Sequence, residues 1–165
     1  MREFVIKSVV TEYDSVDELP VDHVTLVMRA REATGSAYTP YSGFRVGAAL
    51  LLESGMVVTG NNQENAAYPS GNCAERIALF YANSQFPDQA VTAMAISGID
   101  KQGNRTEIPV YPCGACRQVI LESETRFGVN MVLYFDSGAK IRSVRSVREI
   151  LPLYFDQSSL FPGDR

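Results

Sequence analysis

The sequence has few of the residues that commonly bind metals or form disulfides. It contains one histidine and three cysteines, and an odd number of cysteines cannot form a closed disulfide framework. A reducing compartment would keep all three thiols available as ligands. The single histidine, His23, lies in a predicted amphipathic helix, where a histidine is more often a surface or hydrogen-bonded core residue than a metal ligand.

Long apolar runs and basic clusters are also missing. No run approaches the roughly 20 residues that cross a bilayer, and charges interrupt residues 1–7 too early for a signal-peptide core. We therefore expect a cytoplasmic protein without a membrane partner. The net charge is −4, with 15 basic and 19 acidic residues and no basic block. This balance disfavours a nucleic-acid partner and favours a small substrate.

The length and the apolar content suit a single domain that covers residues 1–165. At 165 residues with 45% hydrophobic content, the chain can bury a core of ordinary size. Predicted strands cover residues 4–10, 46–52, 56–59, 91–99, 130–135 and 141–144. Predicted helices cover residues 17–37, 72–84, 113–127 and 146–151, the first of them after a capping box that begins at Ser15. Strands and helices that alternate in this way predict an α/β sheet sandwiched by helices.

All three cysteines lie in two short motifs at predicted helix starts. The first motif, residues 72–76, is Asn-Cys-Ala-Glu-Arg, and the second, residues 112–116, is Pro-Cys-Gly-Ala-Cys. Free N–H groups and the helix dipole stabilise a thiolate at such a position. Three thiolates leave the fourth position of a tetrahedral Zn²⁺ to water, as in a catalytic site, and Glu75 is then the candidate general acid and base. The candidate ligands are Cys73, Cys113 and Cys116.

Simpler interpretations of these motifs remain open at this point. Asn72 and Glu75 also fit an ordinary helix cap with a reciprocal acid. A Cys-x-x-Cys pair is shared by redox motifs and structural zinc sites, but a redox pair would leave Cys73 and Glu75 unexplained. A structural zinc module that only mediates interactions needs a fourth ligand and would tolerate the loss of Glu75.

Several further segments occur in the order found in one enzyme family. They are Tyr41–Ala48, Asn62–Tyr68, Asn72–Arg76, Pro112–Gln118 and Leu151–Pro152. On these segments the chain resembles the small, three-cysteine cytidine deaminases. The resemblance implies a three-layer α/β/α sandwich with a mixed five-stranded sheet, one Zn²⁺ per chain and assembly as a homotetramer. It leaves residues 1–20 as an N-terminal extension of unknown role, which could cover a sheet edge or an interface.

The resemblance also assigns roles in substrate binding. Asn62 and Glu64 would hold the ribose 3′-hydroxyl, because an amide and a carboxylate together satisfy a group that both donates and accepts. The rings of Phe44 and Phe155 would pack on the base, the second of them from a neighbouring subunit. Tyr68 would reach the sugar.

The first cysteine motif receives the catalytic roles. The N–H group of Ala74 would hold the base carbonyl, and Arg76 would donate hydrogen bonds to the zinc thiolates. Glu75 would carry protons while water attacks C4 of the cytosine, so that uridine and ammonia are formed. Without the resemblance, Arg76 would be interpreted as a solvated helix arginine.

Two departures from the family pattern precede the second cysteine motif. The interval of 40 positions from Cys73 to Cys113 is longer than expected, with the extra residues in the predicted loop 100–110. Tyr111 stands where the family commonly has a small Ser or Thr. Its bulk beside the pocket leaves the preferred nucleoside open.

The resemblance implies deamination of cytidine and deoxycytidine in pyrimidine salvage. A modified cytosine nucleoside such as blasticidin S is the alternative substrate. A polynucleotide substrate is disfavoured because the chain lacks a basic stretch with interleaved aromatic residues. The C-terminal segment is apolar and difficult for a monomer to bury, which favours assembly; its apolar residues are Leu151, Leu153, Tyr154, Phe155, Leu160 and Phe161.

Overall fold

The computed structural model describes residues 1–160 as a single mixed β-sheet with helices on both faces. The strands are β1 (Thr11–Tyr13), β2 (Arg45–Leu52), β3 (Val57–Asn61), β4 (Val91–Ile99), β5 (Val132–Asp136) and β6 (Ile141–Val144). The α-helices are α1 (Val21–Ala33), α2 (Ala74–Gln85), α3 (Gly114–Phe127) and α4 (Gln157–Leu160). Short 3-10 turns cover Val16–Glu18, Thr34–Ser36, Tyr68–Ser70 and Val147–Glu149. Phe161 lies outside the described residues.

The strands lie in the order β1-β6-β5-β4-β2-β3. Strands β4 and β5 are parallel, and the other neighbouring pairs are antiparallel. A parallel pair needs a crossover connection, which α3 provides between β4 and β5. Among residues 1–160, no helix combines the length and apolar character needed to cross a membrane.

Each face of the sheet has its own apolar cluster. Successive side chains of a strand point to opposite faces, so Ala49 packs with Leu26 and Val27 of α1. Leu50 belongs to the cluster on the other face, which also contains Leu79 of α2 and residues of α3. The helices on both faces confirm the expected α/β/α sandwich, and the parallel pair of β4 and β5 confirms the expected mixed sheet.

The expected number of five strands is wrong, because the sheet has six. The additional strand is β1, which comes from the N-terminal extension and pairs with β6 so that Thr11 lies opposite Ser143. The extension therefore covers a sheet edge. The predicted strand at residues 4–10 is also wrong: those residues are exposed and form no strand, because residues 11–13 occupy the adjacent edge.

The first predicted helix is divided in the structure. Ser15 caps only the 3-10 turn, where its hydroxyl accepts from the N–H of Asp17 at 3.2 Å. Helix α1 begins at Val21 with Pro20 as its N-cap, since proline has no N–H to continue a hydrogen-bonded turn. The predicted helix at residues 146–151 is a 3-10 turn, Val147–Glu149. The strands predicted at residues 91–99 and 141–144 are confirmed.

Helix α2 lies directly on strand β3 at Gly60. A Cβ atom at this position would lie 2.8 Å from the carbonyl oxygen of Ala74 and 2.6 Å from the nitrogen of Ala78. These are backbone atoms, so the helix itself would have to move. Gly60 thus allows α2 to pack close to the sheet. This close packing also fixes the position of Cys73, which immediately precedes the helix.

Gly60→Ala is expected to lower the free energy of unfolding by about 1–3 kcal/mol, as overpacking does in a close-packed core. Chemical denaturation measures this change. Gly35→Ala is the matched control, because a Cβ atom at Gly35 meets nothing within 4 Å. Equal stability of the two variants would show that α2 does not depend on this close approach.

Candidate active site

Two helix starts bring the three cysteines together. Cys73 immediately precedes α2, and Cys113 immediately precedes α3. Cys116 follows in the first turn of α3 and is buried. Both helices pack on the same face of the sheet, which places their N-terminal ends side by side.

The sulfur positions fit a zinc ion. The Sγ atoms of Cys73 and Cys113 are 3.9 Å apart, and those of Cys113 and Cys116 are 3.5 Å apart. All three sulfurs lie within 4.8 Å of one another. Tetrahedral ligands at a Zn–S distance of about 2.3 Å are separated by about 3.8 Å, so the spacing matches three corners of a zinc tetrahedron. All three cysteines are free thiols.

Cys73 and Cys116 have pKa values that are shifted in opposite directions. The hydrogen bond with Cys116 lowers the pKa of Cys73 to about 5, and Arg76 contributes to the same shift. The same hydrogen bond raises the pKa of Cys116, with burial as a further cause. A thiolate therefore forms more readily at Cys73 than at Cys116. Metal binding at such a cluster requires the remaining thiol protons to leave.

Glu75 is a buried carboxyl group beside this cluster. It lies in the first turn of α2 with only 4% of its surface exposed. Burial raises the pKa of Glu75, and the charge on Cys73 acts in the same direction, although its own backbone N–H opposes the shift. A raised pKa makes the carboxylate a stronger proton acceptor than an ordinary glutamate, which favours a role as general base.

Arg76 lies against the sulfurs. Hydrogen bonding and charge from Cys73 and Cys116 raise the pKa of its guanidinium despite the cost of desolvation. Its Nε atom is buried and has no hydrogen-bond partner within residues 1–160. Arg76 therefore places its positive charge beside Cys73 and Cys116.

A cleft of about 460 Å³ opens beside Cys73 and Arg76. It brings together five of the predicted site residues, namely Asn62, Glu64, Tyr68, Cys73 and Arg76. The prediction did not assign roles to the other lining residues, although most lie in the segments that carry the family resemblance. They are Tyr41, Ser42, Gln63, Asn65, Gly71 and Asn72.

Asn62 joins two segments that form the cleft wall. Its Oδ1 accepts from the N–H of Val46 at 2.7 Å, and its Nδ2 donates to the carbonyl of Phe44 at 2.9 Å. The amide side chain therefore fixes the start of β2. One lone pair and one N–H hydrogen remain for a further partner.

Glu64 holds the neighbouring turn. Its carboxylate accepts from the N–H groups of Tyr41 at 2.9 Å and Ser42 at 3.2 Å, and from the Ser42 hydroxyl. The hydrogen bond from Ser42 lowers the pKa of Glu64. Glu64 thus remains an ionised acceptor at the edge of the cleft.

The other four predicted substrate-binding residues lie in four different places. Ala74 is buried as the first residue of α2, where helical N–H groups have no acceptor inside the helix. Tyr68 is exposed at the rim, with its ring 6.4 Å from that of Tyr41. Phe44 lines an adjacent groove formed with residues 106–110. Phe155 is exposed beside α3, and its carbonyl accepts from Gln118 at 2.8 Å.

Tyr111 is directed away from the cysteine cleft. Its ring packs against Phe135 with the centroids 5.0 Å apart, and its hydroxyl accepts from Arg142 at 2.7 Å. The residues that line the cleft beside Cys73 do not include Tyr111. The bulk of Tyr111, which leaves the preferred nucleoside open from the sequence alone, therefore does not narrow this cleft.

His23 lies on α1, which packs on the opposite face of the sheet. Its Nδ1 atom is 2.6 Å from the hydroxyl of Tyr134, and burial lowers its pKa. This agrees with the expected role of a satisfied, partly buried histidine. Within residues 1–160, the only cluster of potential metal ligands is the one formed by the three cysteines.

Comparisons with known proteins agree with this geometry. Residues 20–132 match the family described as "Cytidine and deoxycytidylate deaminase zinc-binding region". The cytidine deaminase of Halalkalibacterium halodurans is 46% identical over 102 residues, which are 62% of this chain and 72% of that protein. The probable cytidine deaminase of Dictyostelium discoideum is 35% identical over 132 residues, covering 79% of this chain and 82% of that protein.

Solved structures show the same similarity. The crystal structure of cytidine deaminase from Burkholderia pseudomallei has a TM-score of 0.69 and 38% identity, covering 81% of this chain and 98% of that chain. Cytidine deaminase from Mycobacterium tuberculosis has a TM-score of 0.62 and 33% identity, covering 83% of this chain and 99% of that chain.

The sandwich fold and the three-thiol site beside a buried carboxyl group define a zinc-dependent hydrolytic centre. The chain belongs to the cytidine and deoxycytidylate deaminase family, and its cofactor is Zn²⁺.

Proposed function

We propose that this chain is a cytidine deaminase, a hydrolase that converts cytidine and deoxycytidine to uridine and deoxyuridine with release of ammonia. The observation that carries the proposal is the placement of three sulfurs, 3.9 and 3.5 Å apart in two pairs, beside the buried carboxyl group of Glu75. The relatives that match the chain are named as cytidine deaminases. Pyrimidine salvage is the corresponding metabolic role.

Cys73, Cys113 and Cys116 are the proposed zinc ligands. Bound Zn²⁺ acts as a Lewis acid that lowers the pKa of water so that a nucleophile is available at neutral pH. Three thiolates and Zn²⁺ together carry a formal charge of −1, which weakens this effect. Arg76 offsets part of that charge, because its guanidinium contacts Cys73 and Cys116.

Glu75 is the proposed proton carrier. It takes a proton from the water that attacks C4 and delivers it to ring nitrogen N3. It then transfers the second proton of that water to the amine at C4, which leaves as ammonia. The C4–N bond breaks, the oxygen becomes the new carbonyl, and Glu75 returns to its starting state. Burial supports this role because it raises the Glu75 pKa.

The substrate contacts follow from the residues around the cleft. We propose that Asn62 and Glu64 hold the ribose 3′-hydroxyl through the hydrogen-bonding capacity that their backbone contacts leave free. The N–H of Ala74 would hold the base carbonyl, and Tyr68 would reach the sugar from the rim. Phe44 would pack on the base from the neighbouring groove.

A substrate comparison tests the proposed function. Ammonia release is measured with cytidine, deoxycytidine and blasticidin S under the same conditions. We expect the two simple nucleosides to be turned over and blasticidin S to be a poor substrate, since the named relatives are cytidine deaminases. Preference for blasticidin S would replace the proposed substrate, and no ammonia from any of the three would contradict the proposed reaction.

The assembly, domain organisation and location belong to the same proposal. We propose a homotetramer, supported by exposed aromatic residues: Phe80 and Tyr81 on α2 are 52% and 54% exposed, and Phe155 is 58% exposed. The chain would form one domain, residues 1–165, with residues 1–20 as an extension whose β1 strand joins the sheet. Three free thiols needed as ligands support a cytoplasmic location.

The C-terminal segment is expected to complete the site of a neighbouring subunit, with Phe155 packed on the base. Phe155→Ala should raise KM by up to about tenfold, because an aromatic contact of this kind contributes about 0.5–1.5 kcal/mol. Truncation before Leu153 should also convert the tetramer to smaller species. Steady-state kinetics and light scattering measure both effects.

Leu160→Ala is the matched control, since Leu160 is 60% exposed in the same segment. A fully active monomer would contradict the shared site. A tetramer whose KM is unaffected by Phe155→Ala would remove the role of the aromatic ring alone.

A further inference from the structure

A chain of polar contacts runs from the N-terminal extension to the residue two positions before Cys113. Glu12 of β1 lies directly opposite Arg142 of β6. Its Oε2 accepts from the Nε of Arg142 at 2.8 Å. The Nη1 of the same arginine donates to the hydroxyl of Tyr111 at 2.7 Å. Two contacts therefore connect the edge strand to the segment that delivers a proposed zinc ligand.

The sheet holds this chain of contacts in a fixed geometry. Phe135 of β5 lies opposite Arg142, which in turn lies opposite Glu12, so the three side chains form a row on one face of the sheet. The ring of Tyr111 lies against Phe135, with a centroid distance of 5.0 Å. The ring and the hydroxyl of Tyr111 thus have separate partners, and the hydroxyl can be removed without removing the ring contact.

A second set of hydrogen bonds links the N-terminal extension to Pro112, the residue before Cys113. The carbonyl of Pro112 accepts from Arg117 Nε at 3.0 Å, and Arg117 Nη1 donates to the carbonyl of Ile150 at 2.6 Å. The N–H of Val9 donates to the carboxylate of Glu149, next to Ile150, at 2.8 Å. Tyr111 is therefore held by an arginine that contacts Glu12, and Pro112 by Arg117, whose other partner, Ile150, lies next to the residue that contacts Val9.

Hydrogen bonds carry much of this connection, because the side chains along it are only partly buried. A cavity of about 480 Å³ lies among Val10, Glu12, Tyr111 and Arg117. Tyr111 is 39% exposed at this opening, so its ring contact with Phe135 leaves part of the side chain unpacked. Glu12 and Arg142 are 35% and 40% exposed, and an ion pair at such a site adds little to global stability.

We infer that Glu12, Arg142 and Tyr111 are positioning residues for the zinc site, through which the N-terminal extension fixes the segment that delivers Cys113. The inference rests on the proposed zinc ligands. Loss of these contacts should weaken metal retention. A ligand that is already held in place loses less conformational entropy when the metal binds. Groups that orient metal ligands indirectly typically change metal affinity by about 10–100-fold when they are altered.

The test compares Glu12→Gln, Tyr111→Phe and the double variant with the wild type. The rate of zinc release to a chromogenic chelator is measured, together with the thiolate-to-metal charge-transfer absorption of the Co²⁺-substituted protein. Each single variant should release zinc about tenfold faster and show a shifted absorption. The double variant should release zinc no faster than the faster single variant, because both changes interrupt the same chain of contacts.

Glu32→Gln is the matched control. It breaks another exposed ion pair, between Arg29 and Glu32 on α1 at 2.9 Å, and should leave zinc release unchanged. Release from Glu12→Gln and Tyr111→Phe at the wild-type rate would overturn the inference, even if their melting temperatures fell. Effects that multiply in the double variant would also overturn it, since the residues would then act independently. A wild type without zinc would instead overturn the proposed function.

Discussion

Glu75→Gln is expected to lower the turnover of cytidine by at least about 10²-fold, because general acid–base catalysis of this kind contributes that much. The loss corresponds to about 2.7 kcal/mol in the barrier. The amide keeps the shape of the side chain but cannot accept and return a proton. Steady-state kinetics with cytidine give the change in kcat, and metal analysis shows whether the variant still binds zinc.

Glu124→Gln is the matched control for burial. Glu124 is 2% exposed, and its carboxylate accepts from Ser146 and from Arg148, both at 2.7 Å. This variant should lose stability, because Arg148 loses a buried partner, while turnover per folded molecule is retained. The account of Glu75 is contradicted if Glu75→Gln keeps wild-type turnover or loses its zinc.

The second large effect is expected at Cys113. Freshly purified, reduced protein should contain one zinc per chain, and Cys113→Ser should lose most of it together with activity. A serine hydroxyl does not ionise near neutral pH, so the variant replaces a thiolate ligand with a neutral one. Elemental analysis and ammonia release measure the two losses in the same sample. A Cys113→Ser variant with full zinc and full activity would exclude Cys113 as a ligand.

The cysteine site could be predicted because its signals are local. The motifs around Cys73 and Cys113 each place a thiol at a helix start, and the spacing of Cys113 and Cys116 puts both sulfurs on one turn. The structure adds the approach of the two helix starts, which depends on the sheet face that both helices share. Glu75 follows from the same local pattern, but its burial does not.

The sixth strand could not be predicted because its partner is distant in sequence. Residues 4–10 are more apolar than residues 11–13, yet only the latter pair with β6. The short strand carries Glu12, whose partner Arg142 lies far along the chain. The direction of Tyr111 has the same origin, since it depends on Phe135 and Arg142.

The predicted substrate-binding residues show a second limit of prediction from the sequence. The family resemblance assigns Asn62 and Glu64 to the ribose, whereas the structure shows the contacts that they make within the chain. Asn62 fixes the start of β2, and Glu64 fixes the turn at Ser42. These contacts join segments that meet only in the folded chain, so the pattern of residues 62–68 alone does not reveal them.

The measurement that tests the central claim most directly is ammonia release from cytidine before and after zinc is removed with a chelator and then restored. The account predicts that ammonia and uridine form in equal amounts, that both cease when zinc is removed, and that both return with one equivalent of zinc per chain. Turnover that continues at the full rate in protein shown to contain no metal, or an absence of turnover in the fully zinc-loaded protein, would contradict it.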